Sequence, residues 1–111
     1  MANLYIKAGK NYTLKLVYKD CDGFVVNITG ASAKLVMRKS MYSDLLVSVD
    51  AMIDGPTGEI VFEVEPSHTL NILGDNIEDK LLYEANLTLQ NGKEICVLEG
   101  IALVRQSLDR D

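Results

Sequence analysis

The chain is poor in the residues that build metal and redox sites. Among its 111 residues there is no tryptophan, one histidine and two cysteines, and no C-x-x-C pair occurs. Zinc sites need histidine, cysteine and carboxylate ligands at fixed spacing, and that spacing is absent. No apolar run reaches the roughly 18 residues that a membrane-crossing helix requires. We therefore predict no metal, no cofactor and no membrane span.

Positive charge is also scarce. Sixteen acidic residues outnumber eleven basic ones, which gives a net charge of −5. Nucleic-acid binding needs a positive stripe that displaces counterions, and an anionic membrane surface attracts basic segments. We predict neither partner. The N-terminus has no basic segment before an apolar stretch, so we expect synthesis in a cytoplasm, where Cys21 and Cys96 remain unlinked thiols.

The main pattern in the sequence is the alternation of apolar and polar residues. The run from Glu59 to Val64 changes face at every residue, and a period of two is typical of half-buried strands. Glycine-containing turns interrupt such runs from end to end. Strands are predicted at 4–8, 12–19, 24–28, 33–39, 45–49, 59–64, 81–89, 94–98 and 101–105, with a kink or bulge at Gly100.

Turn chemistry supports this division. Asp20-Cys21-Asp22-Gly23 and Asn91-Gly92 are typical hairpin turns, because Gly accepts positive φ without strain. Leucines three residues apart follow Pro66 within 67–74, which predicts one helical turn crossing between two sheets. We predict a single domain, 1–111, that is all-β: an immunoglobulin-like antiparallel β-sandwich of about seven to eight strands with one short helical turn.

Isolated candidate sites favour structural interpretations. We expect His68, which has no ligand or triad company, to cap or flank the helical turn. Asp20-x-Asp22-Gly23 begins like a calcium loop but lacks the distal ligands, which favours a turn. Asp75, Glu78 and Asp79 favour a solvated acidic loop, with a divalent ion as the alternative.

A carbohydrate platform is the other alternative, because the chain has five tyrosines. However, Tyr12, Tyr18 and Tyr83 fall on the core-facing phase of their strands, which leaves chiefly Tyr42 free. Sites that stack on sugars also usually use tryptophan, which this chain lacks. The tyrosines therefore favour packing over sugar binding.

The solvent-facing phase of the strands carries unexpected apolar residues. They occur at several predicted strands rather than at one. β-Branched residues suit exposed strands in any case, but a contiguous set would form a surface for neighbouring subunits. The candidate assembly surface consists of Val17, Val36, Val61, Leu82, Leu98 and Val104.

The order of motifs resembles a known family. The motifs are Ala8-Gly9-x-x-Tyr12-Thr13-Leu14, Tyr18-Lys19-Asp20-x-Asp22-Gly23, Val26-Asn27-Ile28-Thr29-Gly30-Ala31-x-Ala33, Leu35-Val36-Met37-Arg38, Thr57-Gly58-Glu59-Ile60, Tyr83-x-Ala85-x-Leu87 and Leu98-Glu99-Gly100-x-x-x-Val104. In this order they are similar to small tailed-bacteriophage virion proteins like the N-terminal domain of the phage baseplate upper protein, over nearly the whole chain.

The resemblance implies an immunoglobulin-like sandwich built into a virus particle, without catalysis. On that basis we expect a structural protein of the virion, made in the host cytoplasm, that acts as a tail or baseplate adaptor or connector, or as a capsid-decorating module. Its expected partners are other virion proteins, in a homo-oligomer or symmetric array. The alternative is a carbohydrate- or surface-binding adhesion module that acts through the loops 41–44 and 75–79.

Overall fold

The computed structural model describes residues 3–74 and 76–107, which form eight strands and one short helix. The described elements follow the chain in the order β1 (Leu4–Lys7), β2 (Tyr12–Val17), β3 (Ser32–Arg38), β4 (Leu45–Asp50), β5 (Met52–Asp54), β6 (Glu59–Val64), α1 (Pro66–Thr69), β7 (Glu78–Thr88) and β8 (Glu94–Arg105).

The strands form two sheets. The larger sheet has the order β1-β8-β7-β3-β4 and the smaller sheet the order β2-β6-β5. Every pair is antiparallel except β1–β8, which is parallel. This confirms an all-β immunoglobulin-like sandwich with one short helix. The larger sheet carries an additional strand beside β3, as variable-type immunoglobulin domains do.

The core lies between the sheets because the alternating strands turn their apolar phase inward. β6 places Ile60, Phe62 and Val64 at complete burial, and β3 does the same with Leu35 and Met37. Burying one such side chain stabilises the fold by about 1.5–3 kcal/mol relative to exposure. The inward phases predicted for these two strands are confirmed.

The helix α1 carries the chain from the smaller sheet to the larger one. Pro66 occupies its first turn, where a missing N–H costs nothing. The backbone N–H of Glu65 donates to Nδ1 of His68 at 2.8 Å, so the histidine caps the helix as predicted. The helix ends at Thr69, earlier than the predicted segment. At four residues, it is too short to cross a membrane, and no other helix occurs among the described residues.

Two β-bulges change which residues face outward. On β4, Val47 pairs with Met37 but Leu45 pairs with Arg38, so Leu46 has no partner. This extra residue turns Leu45 outward, although alternation predicts it inward.

The second bulge lies on β8. Leu98 pairs with Ala85 and Cys96 with Asn86, which leaves Val97 as the extra residue. The shifted phase after the interruption is therefore confirmed, but its location at Gly100 is wrong. Gly100 pairs regularly with Tyr83.

The prediction for 24–28 is also wrong in part. This segment joins Lys19 through one isolated bridge at Val25 and forms no strand. The Asn27 side chain accepts hydrogen bonds from the backbone N–H and the hydroxyl of Thr29, at 2.9 and 2.6 Å. Such local bonds compete with a strand ladder. The chain then reaches the turn after β5 instead, where the N–H of Ile28 donates to the carbonyl of Gly55.

Candidate interaction surface

A groove lies on the outer face of the larger sheet. Its volume is about 470 Å³, and its apolar lining comes from Val36 on β3, Leu82 on β7 and Ile101 on β8, with Met41 from the loop after β3. Leu82 is 40% exposed although it lies in the middle of a sheet. Apolar side chains around a concavity on an otherwise acidic molecule are typical of a surface that another molecule covers.

Strand register decides which residues surround this groove. Across β3 and β7, Leu82 pairs with Arg38 and Glu84 pairs with Val36. These four residues stand at the corners of a rectangle. One of its diagonals, from Leu82 to Val36, is apolar, and the other joins an arginine to a glutamate. Across β7 and β8, Leu82 pairs with Ile101, which adds a second apolar residue at that corner. Glu84 pairs with Glu99, which adds a second carboxylate at the acidic corner.

The charges beside the groove are not matched within the chain. Glu84 lies directly opposite Glu99, and like charges at such a position are destabilising by up to about 1 kcal/mol. Arg38 turns away from them, and its Nη1 donates to the carbonyl of Ser43 at 2.7 Å. Within residues 3–74 and 76–107, no ion pair includes Arg38, Glu84 or Glu99.

The β8 bulge adds a thiol to the acidic corner. Because Val97 is an extra residue, Cys96 shares the outer face with Glu99, and its Sγ lies 4.0 Å from Oε2 of Glu99. The ligand atoms of Glu84, Cys96 and Glu99 lie within 4.8 Å of one another, all exposed. Partial burial, followed by the charges of the two glutamates, raises the pKa of the Cys96 thiol. Metal binding through sulfur requires loss of the thiol proton, and the raised pKa of Cys96 works against that loss.

The hairpin between β3 and β4 extends the apolar surface beyond the groove. Met41 is 77% exposed and Tyr42 fully exposed. The outward turn of Leu45 and the exposed Leu46 continue this surface along the edge strand β4. Ser40 and Ser43 share a hydrogen bond of 2.7 Å between their hydroxyls at the base of the loop.

The outer face of the smaller sheet exposes Val17 and Met52 but carries two polar pairs beside them. The Thr13 hydroxyl donates to Oε2 of Glu63 at 2.8 Å, and Nζ of Lys15 lies 3.3 Å from Oε1 of Glu59. Val61 is half-buried between these pairs.

The six residues of the predicted assembly surface do not come together. Val36 and Leu82 line the groove of the larger sheet, whereas Val17 and Val61 lie on the opposite side of the molecule, on the smaller sheet. Alternation along a strand shows that two residues face outward, but it does not show which sheet each strand joins.

Two of the six face the interior. Val104 is 0% exposed and belongs to the core, and Leu98 is half-buried against that core. The position of the bulge explains Leu98, whereas a phase change at either Val97 or Gly100 turns Val104 inward. The bulge at Val97, rather than at Gly100, sets the phase of β8, so Leu98, Ala102 and Val104 point inward while Glu99 and Ile101 point outward.

Sequence reasoning missed the residues that complete the groove: Arg38, Glu84, Glu99 and Ile101. A signal for them was present. Val97 and Leu98 are consecutive apolar residues in an otherwise alternating run, and this doubling marks the position of a bulge. Moving the phase change there would have placed Leu98 inward.

The remaining candidates take structural roles. Oδ1 of Asp20 accepts from the N–H groups of Asp22 and Phe24, each at 3.0 Å, so the calcium-like motif is a turn, as predicted. Glu78 and Asp79 do not form a loop. They begin β7 and pair with Arg105 and Lys39, each at 3.0 Å. Asp75 lies outside the described residues.

The tyrosines and cysteines agree with the predictions. Tyr83 is buried, and Tyr12 and Tyr18 are half-buried against the core, whereas Tyr42 and Tyr5 are exposed. Cys21 and Cys96 are both free thiols.

Comparison with known proteins shows similarity in fold alone. No family model matches the chain, and no curated protein matches it. Among solved structures, murine CRIg is 11% identical with a TM-score of 0.44, over 95% of this chain and 92% of that one. The extracellular domain of the voltage-gated sodium channel beta4 subunit is 10% identical with a TM-score of 0.45, over 95% and 89%.

A third solved structure, of Drosophila OTK extracellular domains 3–5, is 20% identical with a TM-score of 0.41. The match covers 94% of this chain and 33% of the other. Likenesses at this level carry no argument about function. The function of this chain has to be argued from its own surface.

Proposed function

We propose that this chain is a non-enzymatic structural module that binds other protein chains through the outer face of the larger sheet. The observation that carries the proposal is the groove, in which Val36, Leu82 and Ile101 are left accessible between Arg38 and two glutamates. An apolar centre with charges at its border is the composition of a protein interface. An open groove of this kind differs from the enclosed, converging polar groups of a catalytic pocket.

The setting that we propose is the particle of a tailed bacteriophage. The order of sequence motifs, from Ala8-Gly9 to Val104, resembles virion proteins of that kind. The module would be made in the host cytoplasm and would join virion proteins as a tail or baseplate adaptor or connector, or decorate the capsid. A homo-oligomer or symmetric array is the form of assembly that such particles use.

Two measurements test this proposal. Mass spectrometry of purified particles should detect the chain, and Leu82→Lys should reduce its incorporation, because the lysine places a charge in the groove. Val61→Lys is the matched control, since it makes the same kind of change on the opposite outer face. Particles without the chain would contradict the virion setting, and equal incorporation of both variants would contradict the role of this face.

One observation favours a second function, adhesion through loops. Tyr42 is fully exposed at the tip of 41–44, next to Met41, and an exposed aromatic ring can stack on a sugar or another surface. The second predicted loop supports this less, since Glu78 and Asp79 are strand residues in ion pairs. Binding on a glycan array that Tyr42→Ala abolishes would favour adhesion over assembly.

A further inference from the structure

We infer that the partner covering the groove is a second copy of this chain, packed face to face across a two-fold axis. The inference rests on the proposed function, because it names the occupant of the same face. It is carried by the pattern of charges around the groove, which is complementary to itself.

Leu82, Arg38, Val36 and Glu84 form the rectangle on β3 and β7 that two copies would share. A two-fold axis that lies in the plane of the face, along the apolar diagonal, turns one copy over onto the other. Rotation about this axis places Leu82 and Val36 of one copy over the same two residues of the other copy. It also brings the arginine corner of each copy over the glutamate corner of the other. Each Arg38 then lies over Glu84 of the other copy, while Leu82 and Val36 pack against their own counterparts.

The neighbouring strand strengthens this complementarity. Glu99 stands beside Glu84, so each Arg38 meets two carboxylates of the other copy. Within one chain these glutamates oppose each other without a counter-charge, and Arg38 bonds only to the carbonyl of Ser43. Each copy therefore carries two glutamates and an arginine that form no ion pair with the described residues of their own chain. Ile101 of each copy extends the apolar centre.

The size of the face sets the expected strength. Strands are about 4.8 Å apart and rise about 3.4 Å per residue, and the apolar diagonal spans one strand spacing and two residues. The diagonal therefore runs obliquely to the strands. Rotation about it makes the strands of the two copies cross at twice this inclination, about 70°. Two five-strand faces crossing in this way overlap over about 600 Å² of each copy. Stable interfaces bury about 800 Å² per partner, and smaller ones are weak or transient. We expect a dimer with a dissociation constant on the order of micromolar.

A charge exchange tests the inference directly. Arg38→Glu alone should place carboxylates against carboxylates, and the double variant Glu84→Arg with Glu99→Arg should place arginines against Arg38. Each should raise the dissociation constant on the order of 30-fold, the loss typical of a central interface residue. An equimolar mixture of the two should form a heterodimer of nearly native affinity, because opposite charges then meet on both sides of the axis.

Sedimentation velocity over a concentration series measures the affinities, and native mass spectrometry identifies the heterodimer by its mass. Lys15→Glu is the matched control, a charge reversal on the smaller sheet that should leave dimerisation unchanged. Thermal melts of each variant show that it is folded. A misfolded variant would not pair with the other one. Dimer formation in the mixture, by two variants that each pair poorly alone, therefore shows that the charges and not the fold were changed.

A chain that stays monomeric at several hundred micromolar would overturn the inference, as would variants that dimerise like the native protein or a mixture that fails to pair. These outcomes are distinct from failure of the proposed function. A monomer that enters particles, and whose Leu82→Lys variant does not, would keep the proposed function and assign the groove to a different virion protein. A dimer absent from particles would leave the inference intact and remove the virion setting.

Discussion

The outer faces of the two sheets come from the same alternating pattern but differ around one site. On the smaller sheet, Lys15 pairs with Glu59 and Thr13 with Glu63, so Glu59 has a counter-charge although Asp54 lies opposite it. On the larger sheet, Glu84 faces Glu99 beside an accessible apolar groove. Cross-strand partners determine this difference, because alternation only sends side chains outward. Elsewhere on the larger sheet Lys34 pairs with Asp50 and Arg105 with Glu78, so the acidic corner beside the groove is the part of this face that can match its charges to a partner.

The strongest test of this comparison separates the interior of the larger sheet from its outer face. Val104→Lys places a charge in the core, where the side chain is 0% exposed, and should lower the free energy of unfolding by about 3–5 kcal/mol. Leu82→Lys, on the outer face, should change it by no more than about 0.5 kcal/mol. Urea denaturation measures both. Similar losses at the two positions would mean that β8 does not have the phase described.

A smaller effect distinguishes the two outer faces. Glu59→Gln removes a surface ion pair and should lower the free energy of unfolding by up to about 1 kcal/mol. Glu84→Gln removes the charge repulsion with Glu99 and should raise the free energy of unfolding by about 0.2–1 kcal/mol. Chemical denaturation at low protein concentration keeps dimer formation out of the comparison. A loss of stability in Glu84→Gln would show that the two carboxylates do not repel each other.

The smallest effect is a difference in thiol reactivity. Partial burial and then the charges of Glu84 and Glu99 raise the pKa of Cys96, which lowers its thiolate fraction near pH 8. Iodoacetamide should therefore alkylate Cys96 several-fold more slowly than Cys21, which lies in an exposed turn.

The variant Glu99→Gln should accelerate labelling of Cys96 because one of the neighbouring charges is removed. Cys21 serves as the internal control, and peptide mass spectrometry gives both rates. An unchanged rate at Cys96 would show that Glu99 does not act on the thiol.

Much of the scaffold was predictable because local rules govern it. The period of two placed Leu35 and Phe62 inward, and the turn predicted at Asp20 to Gly23 is present, although β2 ends at Val17 rather than at residue 19. Leucines three residues apart within 67–74 predicted one helical turn, which the structure places at Pro66–Thr69, and His68 caps it. Each of these features depends on residues within one strand, one turn or one helical turn.

The candidate site was harder to predict because it depends on register. Val36 and Leu82 were predicted as surface residues and line the groove, but Val17 and Val61 lie on the other sheet. A single extra residue, Val97, exchanges the facing of everything after it on β8, which buries Val104 and exposes Ile101. One-residue shifts of this kind invert a whole strand.

The amino-acid sequence by itself determined the strands, the turns and the apolar core, because side-chain alternation and glycine conformations act over a few neighbouring residues. Only the tertiary structure decided which outward residues share a face. The pairing and register of β3 and β7 brought Arg38, Leu82 and Glu84 together, and the bulge on β8 placed Cys96 beside Glu99. Their pairing joins residues more than forty positions apart, and the energy that selects it is the packing of the whole core.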